Sequence, residues 1–235
     1  MALKKIIPVF LVFALFCVFS VEGAYAQKVA TLEKVKGNIG VIKEGKTREL
    51  KGRDGMALFS RQTIKTLGSD AMADVVYLNG DRIRVMPNSE MKLATADIST
   101  DKGNIGIDLG AGKIFNVVNK LATGSSYTVT TRTAIAGVKG TTFSAESSGN
   151  ESVFMVKEGT VEAVNPSVSP QGVLVTDLKK TIVQAQQAPT EPIPLTPEEI
   201  AMFDILDDLF EEAKQDIKDE IKEQIQEDII ESLDE

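Results

Sequence analysis

The middle of the chain consists of short segments in which apolar residues recur at every second position. The pattern is clear around the turn at residues 79–81, as in Val75 and Tyr77 before it. Alternation of this kind places apolar side chains on one face of a β-strand. Asn79-Gly80 within the turn is a hairpin signal, because both residue types tolerate a positive φ. Similar runs separated by glycine fill residues 28–183, so the sequence predicts many short strands there and no βαβ units.

The hydrophobic period changes beyond residue 183. Residues 184–196 are rich in proline, which fixes φ and lacks an amide donor, so we expect an extended linker. A helix start follows, with Thr196 as N-cap, Pro197 at the first helical position and Glu199 placed to close a capping box. The domains predicted from these patterns are a β domain over residues 27–183, a linker over 184–196 and a helix over 197–235.

The predicted C-terminal helix carries one apolar stripe. Apolar residues recur every three or four positions along it, namely at Phe203, Leu206, Phe210, Ala213, Ile217, Ile221, Ile225, Ile229 and Leu233. An amphipathic helix of this length needs a surface that covers its stripe. The sequence leaves four alternatives open: packing on the protein's own β domain, a partly frayed acidic tail, self-association as a coiled coil, or packing on a helix of another protein.

The amino terminus has the layout of a secretory signal peptide. Two lysines precede an apolar run from Ile6 to about Val21, and the small residues Ala24 and Ala26 mark a cleavage site before Gln27. The run is shorter than the roughly 20 residues of a membrane-spanning helix. We therefore expect residues 1–26 to be removed, leaving no membrane span, and the mature protein to be periplasmic, secreted or on the cell surface.

Charge is divided unevenly along the chain. From Glu191 onward there are 17 acidic residues against three lysines, a net charge of −14, whereas residues 27–190 carry 21 basic against 16 acidic residues, a net charge of +5. We therefore expect the two parts to attract each other electrostatically. Lysine and arginine are dispersed without a cluster or a recognition helix, so nucleic-acid binding is not expected.

The residue types needed for common catalysis are missing. The chain has no histidine, and its one cysteine, Cys17, lies within the predicted signal peptide. This removes the commonest general base, the thiol nucleophile and the usual zinc ligands. The Ser89 to Lys92 spacing resembles a serine–lysine catalytic pair, but residues three apart in a strand point to opposite faces. We predict no catalytic residue, no metal, no cofactor and no enzymatic activity.

One run combines apolar anchors with two glycines. It reads Ala134-Ile135-Ala136-Gly137-Val138-Lys139-Gly140-Thr141-Thr142-Phe143. Because glycine has no Cβ, Gly137 and Gly140 can adopt backbone angles closed to other residues and let strands approach closely. The run predicts a tightly folded β corner.

Together with the runs around it, this segment resembles the signature of the FecR domain, a β module of bacterial envelope proteins. The resemblance covers most of residues 30–180, in order and spacing. The residues that match the signature are Gly80, Ala136, Gly137, Val138, Gly140, Thr141, Phe143 and Gly159. The resemblance implies a twisted β-solenoid.

A weak internal repeat also favours a layered body, since the residues at 36–41 recur in similar form at 102–107. The predicted fold class is therefore mainly β, with a twisted β-solenoid-like or sandwich-like body of short strands, the proline-rich linker and one long C-terminal α-helix. The large core side chains expected are Phe59, Tyr77, Phe115, Tyr127, Phe143 and Phe154.

The resemblance implies a function in binding or sensing. In the best-known members such a domain receives a signal from an outer-membrane transporter and passes it to a sigma factor. We expect a non-enzymatic binding or sensory module of the envelope that contacts a protein partner. The alternative is a structural or self-assembling component of a surface or secretion assembly, with the C-terminal helix as the self-association element.

Overall fold

The computed structural model describes residues 27–98 and 103–206, together with residue 222. Within these residues fifteen strands form one continuous sheet. They are β1 (Lys28–Ile42), β2 (Glu49–Lys51), β3 (Met56–Phe59), β4 (Thr63–Tyr77), β5 (Arg82–Val85), β6 (Glu90–Ile98), β7 (Gly103–Val117), β8 (Ser126–Thr130), β9 (Ile135–Val138), β10 (Thr142–Ser148), β11 (Glu151–Glu158), β12 (Thr160–Val164), β13 (Val173–Thr176), β14 (Lys179–Gln184) and β15 (Ile193–Pro194). The mainly β prediction is confirmed, but its solenoid-like or sandwich-like form is not.

Strands β1 and β4 form a long antiparallel ribbon that bends near its middle. Lys34 and Gly37 in β1 have positive φ angles of 47° and 71°, and Gly68 in β4 has a φ of 102°. The pairing register shifts on both sides of Lys36. Such irregularities bend a strand and increase its twist, so the two halves of the ribbon face different parts of the core.

Strand β7 connects the two parts of the sheet because its halves pair with different neighbours. Its first half lies between β6 and the parallel strand β8, and its second half lies between β5 and β10. The change occurs at Gly112, where φ is 91° and a Cβ would lie 2.5 Å from the Cα of Ser89. Ser89 Oγ accepts a hydrogen bond from the Lys113 amide at 3.0 Å and donates one to its carbonyl at 3.2 Å. The absence of a side chain at Gly112 and the hydroxyl group of Ser89 therefore fix this bend.

The main core contains most of the predicted large side chains. Tyr127 and Phe143 pack edge to face, with ring centroids 6.3 Å apart. Tyr77, Tyr127, Phe143 and Phe154 are all buried. The prediction for Phe59 is wrong: it lies opposite the exposed Lys28 and is half-buried, whereas Leu58 lies opposite the buried Ala30 and is buried itself.

The predicted hairpin at Asn79-Gly80 is confirmed by the pairing of β4 with β5. Gly80 has a φ of 83°, whereas the φ of Asn79 is not positive. Its side chain instead donates to Asp81 Oδ2 at 2.8 Å. Asp81 Oδ1 accepts from the Asn119 amide at 2.8 Å, which ties this turn to the segment after β7. Burial raises the pKa of Asp81, although the hydrogen bonds from Asn119 and Asn79 oppose this effect.

The predicted helix start is confirmed. Thr196 is the N-cap of α1 (Pro197–Ala201), and Thr196 and Glu199 form both hydrogen bonds of a capping box. A 3₁₀ helix over Met202–Leu206 follows directly. The remainder of the predicted long helix, at residues 207–221 and 223–235, lies outside the described residues.

This C-terminal segment packs on the β domain, as one of the open alternatives states. Phe203 and Leu206 are buried in a second apolar cluster with Phe115, Met155 and Leu195. The Phe115 and Phe203 rings meet edge to face, with centroids 5.3 Å apart. Because residues three apart share a face in a 3₁₀ helix, Phe203 and Leu206 both point towards the sheet.

Two polar contacts hold the ends of the docked segment. Arg84 forms a buried bidentate ion pair with Asp74, with Nε to Oδ1 at 2.8 Å and Nη2 to Oδ2 at 2.7 Å. Its Nη1 also donates to the carbonyl of Ile205. At the other end Lys180 forms an ion pair with Glu199. A cation therefore meets the carboxyl end of the segment, where helical carbonyls lack partners.

The proline-rich segment lies along β14. The Thr190 amide donates to the Ile182 carbonyl at 3.0 Å, and the Leu195 amide donates to the Leu178 carbonyl at 2.8 Å. Proline is tolerated in an edge strand because such a strand forms backbone hydrogen bonds with a neighbour on one side only. The domain boundaries near residues 183 and 196 stay predictions.

We predict that Gly112→Ala lowers the free energy of unfolding by about 3 kcal/mol, because it adds a Cβ at positive φ against the backbone of Ser89. Gly110→Ala is the matched control, since its Cβ would lie 3.6 Å from the nearest atom, Glu90 O, and its φ is not positive. Urea unfolding followed by circular dichroism measures both variants. Equal stability of the two variants would show that the bend in β7 does not require glycine at position 112.

We predict that Phe203→Ala weakens docking of the C-terminal segment by about 3 kcal/mol, because it removes a buried ring from the second cluster. Hydrogen exchange of the amides at residues 197–206 is then expected to speed up by about a hundredfold. Met202→Ala is the control, since the Met202 side chain is 45% exposed. Similar exchange in both variants argues against the cluster as the source of docking.

Docking is also expected to depend on pH. Partial burial raises the pKa of Glu199, but hydrogen bonds from Lys180 and the Thr196 amide, with the charge of Lys180, outweigh it and hold the pKa below its usual value. A group with a lowered pKa stabilises the docked state above its ordinary pKa, and this contribution is lost as the pH falls through the lowered value. Exchange at residues 197–206, corrected for intrinsic rates, should therefore rise under acid. In Glu199→Gln this part of the pH dependence should disappear.

Candidate protein-binding groove

The signature residues meet at a corner of one long β-ribbon. β9 and β10 form one side of the ribbon and β11 and β12 return along the other, because β10 pairs with β11 and β9 pairs with β12. The chain turns between β9 and β10 at Gly140, with a φ of 58°, and between β11 and β12 at Gly159, with a φ of 99°. The predicted tight β corner is confirmed.

Close backbone approach explains both glycines, at Gly159 from the other turn and at Gly140 from the segment between β7 and β8. A Cβ on Gly159 would lie 2.8 Å from the carbonyl oxygen of Gly140, and a Cβ on Gly140 would lie 3.0 Å from the Cα of Lys120. Thr141 Oγ1 accepts from the Thr160 amide at 3.1 Å and donates to the Thr160 carbonyl at 3.0 Å. One threonine therefore joins the two turns by two hydrogen bonds.

The other signature residues have structural positions around this corner. Ala136, Val138 and Phe143 are buried in the main core. Gly80 lies apart from the ribbon, in the β4–β5 turn, where a Cβ would lie 3.0 Å from the side-chain nitrogen of Asn119. The structure thus brings together seven of the eight positions, namely Ala136, Gly137, Val138, Gly140, Thr141, Phe143 and Gly159.

Gly137 differs from the other signature glycines because the fold does not require it. The expectation that it adopts unusual backbone angles is wrong, since its φ is not positive. A Cβ built on Gly137 would have no heavy atom within 4 Å. A glycine inside a strand can mark a place where another backbone or a ligand approaches closely. Gly137 therefore leaves bare backbone on the outer face of β9.

This bare backbone forms part of the floor of an open groove of about 880 Å³. The strand register places Thr128, Gly137, Glu162 and Leu174 in one row across β8, β9, β12 and β13. Glu162 and Leu174 are exposed, and Leu174 has 61% of its surface open to solvent. The row therefore presents a dip at Gly137 with polar side chains on both sides and an apolar side chain at one end.

The segment between β7 and β8 forms one wall of the groove. The Val118 amide donates to the Thr141 carbonyl at 3.1 Å, and Asn119 is held by Asp81. Near the other end of the segment, Ser125 Oγ accepts from the Gly103 amide at 3.2 Å. The wall is thus fastened to the body at both ends.

The charges of the groove are separated. Lys120 and Lys139 lie together at the corner end, because Gly140 follows Lys139 and packs against the backbone of Lys120. Both lysines are exposed, and neither forms an ion pair within the residues that the structure describes. Glu162 lies farther along the floor. Within the described part of the chain, the groove therefore has two lysines without an ion-pair partner at one end.

The groove lining suits binding by hydrogen bonds, ion pairs and apolar contact. Hydroxyl groups come from Ser126, Thr128 and Thr160. Across residues 27–98 and 103–206, no cluster of three or more acidic side chains is placed to hold a metal ion. Over the same range no helix has the length and apolar character needed to cross a membrane. The predicted cleavage site at Ala24 and Ala26 lies outside the described residues.

Sequence reasoning found the corner but not the groove. The wall segment has one detectable signal, the run of small residues Ala122-Thr123-Gly124-Ser125-Ser126, which is typical of an exposed loop. Leu174 gives no signal in the sequence, because only the strand register shows that it is exposed beside Glu162. A site assembled from four strands is set by pairing and not by any local motif.

Comparison with known proteins gives one family match. The family model described as FecR protein matches residues 62–162. Two crystal structures of a candidate anti-sigma factor from Parabacteroides distasonis, at 1.65 and 2.50 Å resolution, each share 17% sequence identity with this chain. Their TM-scores are 0.48 and 0.49, and they match 59% and 60% of this chain.

This chain covers 62% and 63% of those two structures, which is less than two thirds of either. A search of curated proteins gave no match. The family match contains the whole β9–β10 corner, Gly80 and Gly159. Residues 62–162 of this chain therefore form a FecR domain.

Proposed function

We propose that this protein is an exported, non-enzymatic binding module of the bacterial envelope that acts through protein–protein contacts. The observation that carries the proposal is the groove over Gly137, since the FecR signature run supplies the floor at Gly137 and the corner at Gly140. A glycine that the fold does not need, at the centre of a groove, is explained if another polypeptide lies against it.

The hydrogen bonds that hold the groove in place support this function. The two turns at Gly140 and Gly159 are joined by Thr141, and the wall segment is held through Asn119 and Ser125. A binding surface that is already in its bound form loses little conformational freedom on association. The proposal therefore requires no rearrangement of the β domain before a partner binds.

Self-assembly is a second candidate, favoured by exposed apolar side chains near the β15 edge. Leu178 is 47% exposed with a φ of 57°, and Ile193 is 46% exposed. A non-glycine residue held at positive φ is strained, and an exposed sheet edge can pair with another chain. Light scattering of the mature protein separates the two functions, because a stable polymer supports assembly and a monomer supports the binding module.

For the binding module we predict site-specific crosslinking from the groove. A photo-reactive amino acid replacing Thr128, which lies on the groove floor, should form a discrete adduct with an envelope protein in living cells. The same group at Lys46, in the exposed turn between β1 and β2, serves as the control.

Adding Gly137→Leu to the Thr128 probe should abolish that adduct while leaving the unfolding curve nearly unchanged, because the space above Gly137 is open. Identical adducts from Thr128 and Lys46, or an adduct that survives Gly137→Leu, would contradict the proposed site.

A further inference from the structure

We infer that the groove binds an extended acidic segment of a partner protein, with an apolar side chain over Gly137 and carboxylates at Lys120 and Lys139. This inference rests on the proposed function and specifies the chemistry of the partner. The evidence is the spacing of the floor row, the open position at Gly137 and the two cations at the corner end.

The floor row matches an extended polypeptide in length. Thr128, Gly137, Glu162 and Leu174 lie on four neighbouring strands, and neighbouring strands are about 4.8 Å apart, so the row is about 14 Å long. An extended chain rises about 3.3 Å per residue, so about four residues cross the row. Side chains on one face of an extended chain recur every second residue, about 6.6 Å apart, so one can enter the dip at Gly137 while the next on that face extends towards Leu174.

The charge of the groove selects an acidic partner. Two lysines of the β domain have acidic partners, Lys113 with Glu146 at 3.2 Å and Lys65 with Glu90 at 2.9 Å. Lys120 and Lys139 have none within the residues that the structure describes. Opposite charge at an interface speeds association and excludes wrong partners, so these two lysines favour carboxylates and disfavour a basic segment.

The side chains that line the groove favour a polypeptide ligand over a single-stranded nucleic acid. Single-stranded nucleic acids bind through exposed aromatic rings on which bases stack. The aromatic residue of the lining is Tyr127, and its side chain is buried in the core with its hydroxyl bonded to Asn116 at 2.9 Å. No ring in the lining is therefore available for stacking.

The test uses the full mature chain and two labelled peptides of eight residues, one alternating Val and Glu and the other alternating Val and Lys. Fluorescence anisotropy at low salt should show binding of the Val–Glu peptide and not of the Val–Lys peptide. We expect binding to weaken about tenfold in Gly137→Leu and in Lys120→Glu/Lys139→Glu. The double variant Lys43→Glu/Lys46→Glu makes the same charge change in the exposed β1–β2 turn and should bind normally.

Gly137→Ala keeps the test valid if the leucine variant folds poorly, because one methyl group occupies open space and should weaken binding less than leucine does. Equal binding of both peptides, or unchanged binding in the Gly137 and Lys120/Lys139 variants, overturns the inference. Binding that appears only after removal of residues 207–235 also overturns it, because the chain's own acidic residues would then be the occupant. If the Thr128 crosslink persists while the acidic peptide fails to bind, the partner chemistry is wrong but the proposed function stands.

Discussion

The structure depends on the short connection between strand β7 and its parallel partner β8. Its parallel partner β8 begins at Ser126, opposite Asn104, whereas β7 itself ends at Val117. Along a straight strand the 13 steps from Asn104 to Val117 would span about 43 Å, but the nine steps from Val117 to Ser126 reach at most about 32 Å. The strand must therefore bend, and the bend lies at Gly112, where only a residue without a Cβ can pass the backbone of Ser89. This bend also gives β7 its second set of neighbours.

The groove is a result of the same geometry. Because β7 and β8 are parallel, their connection returns along the sheet and cannot be a tight hairpin. The returning segment becomes the groove wall, and the corner at Gly140 and Gly159 sets the end at which Lys120 meets it. Topology therefore determines that a wall exists, and local contacts with Asp81 and Thr141 determine where it lies.

Features with a local cause could be predicted from the sequence. The turn at Asn79-Gly80, the corner at Gly140 and the capping box at Thr196 each depend on a few neighbouring residues. The burial of Leu58 in place of Phe59 could not be predicted. Two adjacent apolar residues do not show which of them faces the core, and the pairing with β1 determines this. The bend at Gly112 needs Ser89, which lies far away in sequence, and the floor row needs the register of four strands.

Gly137 is the one signature glycine in the β9–β10 corner that the fold leaves unconstrained. Its neighbours in the row are set by backbone pairing, so a new side chain at this position changes the contour of the groove without repacking the core. Under the proposed function, a substitution at Gly137 therefore changes binding without changing stability. Natural divergence or laboratory redesign at this one position would then alter the proposed binding site while retaining the same scaffold.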